Sequence, residues 1–263
     1  MAISYGVDKQ WAATTNAGRT HIATSGVNQT GLVLNLDAGS TSSYPGSGST
    51  FFDLEGNHNF TLTNGPTYSS TDNYGAIVFD GSNDYALVSG GIPLASPVSL
   101  TNNFTIEQIF KPTAYQASSY FSLTNMLMNK GTASTYNYAT QLSTDTSFSF
   151  IKRTSPESLQ FHTFTVPSML NKVNVVTLVI QNGNNTSIDT VDCYYNGEFV
   201  SSLSINGTAI AAVDNEPFYL GGLSSQQYTS FTGSYYSGRI YNRALSVAEI
   251  RKNFQSVRYR YNL

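Results

Sequence analysis

The dipeptide Asn196-Gly197 does more than any other to limit what this chain can become. It stands between Asp192-Cys-Tyr-Tyr and Glu198-Phe-Val-Ser-Ser-Leu203. Asn followed by Gly gives two successive positions that tolerate positive φ, which the tight two-residue hairpin turn requires. The segment therefore predicts two antiparallel strands and a sheet around them. Further short apolar runs fit the same class: Gly31-Leu-Val-Leu-Asn-Leu-Asp37, Ala76-Ile-Val-Phe79, Tyr85-Ala-Leu-Val88 and Phe104-Thr-Ile-Glu-Gln-Ile-Phe110, the last expected to end at Lys111-Pro112. Val173 to Gln181 is almost continuously apolar and reads as a central strand. Stretches rich in Gly, Ser and Asn separate the runs.

One helix is predicted, over about residues 246–258. Ser246-Val-Ala-Glu249 has the form of a capping box, in which Ser and Glu each satisfy a free backbone N–H of the first turn. Val247, Ile250, Phe254 and Val257 recur at helical spacing and are expected to pack on the sheets.

Charged residues are only 11% of the chain, while Tyr (18) and Phe (15) supply nearly all the aromatics. Low charge with abundant Ser, Thr and Asn suits work outside a cell. Yet Met1 to Trp11 lacks the basic start and apolar run of a signal peptide, and the lone Cys193 excludes an internal disulfide. No run approaches the 18 apolar residues of a membrane helix. A virus-particle protein, made in host cytoplasm and acting after release, reconciles these signs. Residues 1–30 read as an N-terminal arm, because they carry too little apolar surface to offset their own ordering entropy. The arm is expected to anchor to another virion subunit through Trp11 and Ile22, and its removal to leave residues 31–263 folded.

Several segments carry a family resemblance. Phe231-Thr-Gly-Ser-Tyr-Tyr-Ser-Gly-Arg-Ile240 followed by Tyr241-Asn-Arg-Ala-Leu-Ser-Val-Ala-Glu-Ile250 resembles the closing segment of laminin G-like and pentraxin-type concanavalin A-like domains. Phe51-Phe-Asp-Leu-Glu-Gly-Asn-His-Asn resembles an early turn of such domains in phage structural proteins, with Phe52 where Trp is usual. Asp192 to Val200 is similar to the family's hairpin. The resemblance implies an all-β, two-sheet antiparallel jelly-roll sandwich with an N-terminal arm and a short C-terminal helix. Because that fold hosts binding modules, enzymes and structural proteins alike, function has to be argued from sites.

The acidic turn Asp80-Gly-Ser-Asn-Asp84 is the one candidate for a metal. Asp80, Asn83 and Asp84 offer the hard oxygens that calcium takes, and the resemblance to pentraxins places a calcium ligand pair at Asn83 and Asp84. The second acidic cluster of pentraxins has no counterpart in Gly222-Leu-Ser-Ser-Gln-Gln227, so tight calcium binding is not expected. No cofactor is expected. Glucanases of this general fold use closely spaced carboxylates on one strand. Glu107 stands alone on its strand, and His21, His58 and His162 have no zinc spacing, so catalysis is not expected. Tyr235, Tyr236 and Tyr228 are the candidate sugar platforms, since an aromatic ring offers a sugar both an apolar face and a polar edge. Arg251, Lys252, Arg258 and Arg260 belong to a basic C-terminal segment that is either a solvated helix face or a dock for an acidic neighbour. The net charge of −3 and the lack of an aromatic-basic motif argue against nucleic acid.

Two functions follow as expectations. The first is a non-enzymatic structural protein on the surface of a tailed phage, as capsid decoration or head fibre. The second is a lectin-like module that recognises host-surface glycans, including as a tail or fibre component. Homo-oligomerisation stays open.

Overall fold

Asn196 (φ 49°) and Gly197 (φ 79°) both adopt the left-handed conformation, and the strands on either side pair Tyr195 with Glu198. Gly197 is needed twice over: a Cβ there would lie 2.9 Å from the Phe254 ring, which packs directly on the turn. The computed structural model describes residues 26–88, 103–116, 125–131, 138–155, 158–181, 189–205, 217–223 and 229–263. In chain order the strands are β1 (Leu32–Asp37), β2 (Thr50–Phe51), β3 (Phe60–Thr63), β4 (Thr67–Ser69), β5 (Ala76–Asp80), β6 (Tyr85–Val88), β7 (Phe104–Ala114) and β8 (Met126–Lys130). There follow β9 (Tyr138–Thr144), β10 (Ser147–Ser155), β11 (Ser158–Thr165), β12 (Asn174–Gln181), β13 (Asp189–Tyr195), β14 (Glu198–Ile205), β15 (Phe218–Leu220), β16 (Thr232–Tyr241) and the helix α1 (Val247–Val257).

These strands form two eight-stranded sheets, and every strand pairing is antiparallel. The first runs β14-β13-β12-β7-β16-β5-β4, with β1 also paired to β16. The second runs β11-β10-β9-β8-β15-β6-β3-β2. The main core between them is aromatic: Phe104, Phe110, Phe148, Phe150 and Phe231 are all wholly buried. One polar link crosses it, from Gln108 Nε2 of the first sheet to Thr140 Oγ1 of the second at 2.9 Å.

The strand β7 does not stop at Lys111-Pro112 as expected; it continues to Ala114. Pro112 is accommodated because Gly233 lies opposite it, beside a register shift in β16. A Cβ on Gly233 would come within 2.2 Å of the Lys111 carbonyl oxygen.

The capping box forms as expected: Ser246 Oγ accepts the Glu249 N–H, and Glu249 Oε2 accepts the Ser246 N–H at 2.8 Å. The packing face of α1 differs from the periodic reading, however. Val247 is exposed, and the buried positions are Ile250, Asn253 and Val257. Asn253 takes the centre because its amide donates to Tyr241 OH (2.9 Å) and Glu107 (3.3 Å), while its carbonyl oxygen accepts the Asn28 N–H (2.8 Å).

That last contact also moves the edge of the folded unit. Val27 is buried against Val257, Tyr261 and Tyr236, and Arg243 Nε donates to the Thr30 carbonyl. The segment 26–30 is therefore part of the sandwich, not of an arm ending at residue 30. Trp11 and Ile22 lie outside the described residues.

Candidate functional site

The outer face of the first sheet is closed by α1 and by a set of buried ion pairs. Arg239 and Glu107, each 1% exposed, meet at 2.6 Å on neighbouring strands. Glu107 also accepts from Thr177 Oγ1 at 3.4 Å and from Asn253. The carboxylate that stands alone on its strand is thus held by structural partners away from solvent.

Most of the C-terminal basic residues are similarly engaged. Arg260 is buried and pairs with Asp37 at 2.6 Å, with donations to the Asn73 and Gly75 carbonyls. It is not available as a docking cation. Arg243 pairs with Glu249 at 2.7 Å, and these hydrogen bonds are the main reason the Glu249 carboxyl sits well below the usual carboxylate range. Arg251 pairs with Glu198 on the surface. Lys252 is exposed, and Arg258 lies over the Tyr259 ring. Arg243, Arg251 and Arg260 of the basic run are thus held in separate ion pairs.

The acidic turn is bound up in local hydrogen bonds. Asp84 is buried and accepts the Asp80 N–H at 3.1 Å, and Asp80 accepts the Ser82 N–H at 2.7 Å. Burial raises the Asp84 carboxyl above its ordinary range. The carbonyls of Gly81, Ser82 and Asn83 accept from Gln116, Ser230 and Asn64 respectively. One carboxylate oxygen of Asp80, one of Asp84 and the backbone carbonyl of Asn83 are thus matched by protein donors. No group of three or more His, Cys, Asp or Glu suited to a metal occurs among the described residues.

Tyr235 and Tyr236 are both wholly buried, which corrects their reading as sugar platforms. Ordinary strand alternation sends the two rings to opposite faces of β16. Tyr235 joins the core between the sheets, while Tyr236 lies under the C-terminal segment against Tyr261. Burial raises both hydroxyl pKa values. Tyr228 lies outside the described residues. Cys193 is buried in β13, and burial pushes its thiol up to about 12, so it is inert at neutral pH.

The outer face of the second sheet carries a separate apolar and aromatic cluster. Pairing places Phe161, Ile151, Ala139, Asn129, Tyr219, Leu87 and Thr61 in one row across it. Among the described residues its apolar cluster consists of that sheet's own side chains together with Leu223; no residue of α1 enters it. Tyr85 and Tyr219 meet edge to face at 5.8 Å between ring centroids. Farther along the sheet, across β9, β10 and β11, a hydroxyl chain runs from Gln141 Nε2 to Ser143 Oγ (3.1 Å), on to Ser149 Oγ (2.8 Å) and then Thr163 Oγ1 (2.8 Å). The Asn129 carbonyl oxygen is buried without a hydrogen-bond partner. The middle of the face is buried, and its accessible parts are two flanks. One holds Phe161 and Thr163 on β11; the other holds Thr61, Thr63, Tyr85 and Leu87 on β3 and β6.

Sequence reasoning passed over this face. Tyr85-Ala-Leu-Val88 carried the available signal, because every residue in it is apolar or aromatic. A strand written that way has both of its faces in use.

A profile of the Concanavalin A-like lectin/glucanases superfamily matches residues 80–251, more than half of the chain. Solved structures with the same architecture include the receptor-binding domain of botulinum neurotoxin type G, with 12% identity, a TM-score of 0.60 and coverage of 86% of this chain and 51% of that one. Another is domain 4 of AbnA, an extracellular arabinanase from Geobacillus stearothermophilus, solved with arabinotriose. It has 18% identity and a TM-score of 0.61 over 87% of this chain and 100% of that one. The binding domain of botulinum neurotoxin DC, in complex with SialylT, gives 11% identity and a TM-score of 0.62 over 87% and 52%. This chain thus spans about half the length of the neurotoxin domains. At these identities the likeness is one of fold. No curated protein matches.

Proposed function

The chain belongs to the concanavalin A-like lectin/glucanase superfamily, and on that premise we propose that it is a non-enzymatic, lectin-like module that binds carbohydrate on the outer face of its second sheet. The observation that carries the reading is the composition of that face. It sets the half-exposed Tyr85 ring, packed edge to face on Tyr219, beside the hydroxyls of Thr61 and Thr63 on the neighbouring strand, on the side of the sandwich away from α1. Sugars need both kinds of group at once, an apolar surface for their C–H faces and donors and acceptors for their hydroxyls. Two fold neighbours support the same reading: AbnA domain 4 was solved with arabinotriose, and the neurotoxin DC binding domain in complex with SialylT. The non-enzymatic part rests on Glu107, which is buried against Arg239 and out of reach of a substrate.

The proposed point of contact is the flank around Tyr85, where the ring is half-exposed beside Thr63 on the neighbouring strand. As a setting we propose the surface of a tailed-phage particle, as decoration, head fibre or tail component. Low charge (11%) supports that setting, whereas the binding-domain neighbours favour recognition over a purely structural role.

A glycan array tests the reading, followed by titration of the strongest-binding oligosaccharide. Tyr85→Ala is expected to weaken binding about tenfold, equivalent to about 1.4 kcal/mol, and to leave the fold intact. Absence of any specific binding by the wild-type chain would sink the proposal, as would full binding by Tyr85→Ala.

A further inference from the structure

Among the described residues, every non-glycine position with positive φ is an asparagine except one, Tyr74, at φ 68°. Asparagine tolerates that conformation, whereas a bulky side chain is disfavoured there. The Tyr74 ring is also 57% exposed, so no burial of its own offsets the strain. The turn around it is nevertheless tightly built. Asp72 accepts Lys111 Nζ on both carboxylate oxygens at 2.8 Å, Ser234 Oγ at 2.6 Å and Tyr236 OH at 2.9 Å. Its carbonyl accepts the Gly75 N–H at 3.0 Å. Asn73 Nδ2 donates to Asp72 and to Tyr236 OH. From the other side, Arg260 donates to the carbonyls of Asn73 (3.0 Å) and Gly75 (3.4 Å), one residue before and one after Tyr74. Gly75, at φ 139°, has no room for a side chain, since a Cβ would lie 2.5 Å from the Ala38 carbonyl oxygen.

A strained backbone that its surroundings fix so fully, with the strained residue's ring turned to solvent, is the pattern of a preorganised contact. We propose that Tyr74 is a stacking platform for a sugar ring, a second carbohydrate contact separate from the outer face of the second sheet. The proposal rests on the carbohydrate reading above. One rigid ring matches the single apolar face of a pyranose or furanose. A protein partner would instead need about 800 Å² on each side, far more than one tyrosine offers.

The test uses the full chain on an array of neutral and sialylated oligosaccharides, followed by calorimetric titration of the strongest binder. Tyr74→Asn removes the ring and relieves the backbone. It should bind about tenfold more weakly while its Tm rises by about 2–4 °C. Tyr74→Phe keeps the ring face and should bind like wild type. Tyr259→Ala removes another exposed ring, one without this clamp, and should also bind like wild type. A merely structural Tyr74 would give a lower Tm in Tyr74→Asn, and that result overturns the proposal. If Tyr74→Asn binds normally while Tyr85→Ala does not, the second contact is refuted and the sheet-face reading stands. If the wild-type chain binds no glycan, both fall together.

Discussion

Replacing Arg239 with Met should be among the most damaging single changes available to this protein. The guanidinium and the Glu107 carboxylate are each 1% exposed and 2.6 Å apart. Without Arg239, Glu107 keeps only two long donors, Thr177 Oγ1 at 3.4 Å and Asn253 Nδ2 at 3.3 Å. Breaking a buried pair by removing one partner costs about 3–5 kcal/mol, mostly through the charge left behind. At roughly 2–4 °C per kcal/mol for a chain of this size, Tm should fall by about 6–20 °C. Glu107→Gln should cost less, because Asp37 also acts on Arg239 and still opposes its charge. Arg239→Met combined with Glu107→Leu removes both charges and should recover much of the loss, giving a coupling of at least about 2 kcal/mol. Denaturant unfolding of the wild type, the two single variants Arg239→Met and Glu107→Leu, and the double variant measures this. Additive losses, or an Arg239→Met loss below about 1 kcal/mol, would refute the argument that the pair matters through its burial.

Truncation tests whether residues 26–30 belong to the sandwich. Removing residues 1–30 takes away buried Val27 and the Asn28 N–H that Asn253 accepts, and should cost about 2–4 kcal/mol more in denaturant unfolding than removing residues 1–25. For pH, the folded pKa of Glu249 is depressed, so its contribution to stability is present above the unfolded value near 4.3 and is lost as pH falls through the lower folded value. Tm scanned downward from pH 7 should therefore decline more steeply in the wild type than in Glu249→Gln, and parallel curves would contradict this.

The fold was legible where local chemistry dictates local form. Asn196-Gly197 specified its hairpin, and Ser246 with Glu249 specified the start of α1. The strand at Tyr85–Val88 lies where its apolar run placed it. Legibility failed where a partner distant in sequence decides the outcome. Asn253 is polar and was excluded from the helix's packing face, yet it is buried because Tyr241, Glu107 and Asn28 converge on it. Pro112 reads as a strand terminator until Gly233 is placed opposite. Tyr235 and Tyr236 look like surface rings beside a loop, but both faces of β16 are covered, one by the second sheet and the other by the C-terminal segment, so both are enclosed. The two rings proposed to meet sugar, Tyr85 and Tyr74, belong to a short strand and a turn. Neither carries a motif, and their exposure is a property of the assembled sandwich.

The position of β16 governs the order in which the molecule can be made. This strand pairs along one side with β7 and along the other with both β5 and β1. It is the last strand of the chain, and Leu32 at the start of β1 has Tyr241 as its partner. At a synthesis rate of about 5–20 residues per second, β1 waits roughly 10–40 s for the strand that completes it. Until then β1, β5 and β7 emerge with unpaired edges and uncovered apolar faces, the condition under which nascent chains pair wrongly or recruit holding factors. The first sheet is thus assembled by its final strand, and ribosome-bound chains ending before Thr232 should remain protease-sensitive throughout that interval.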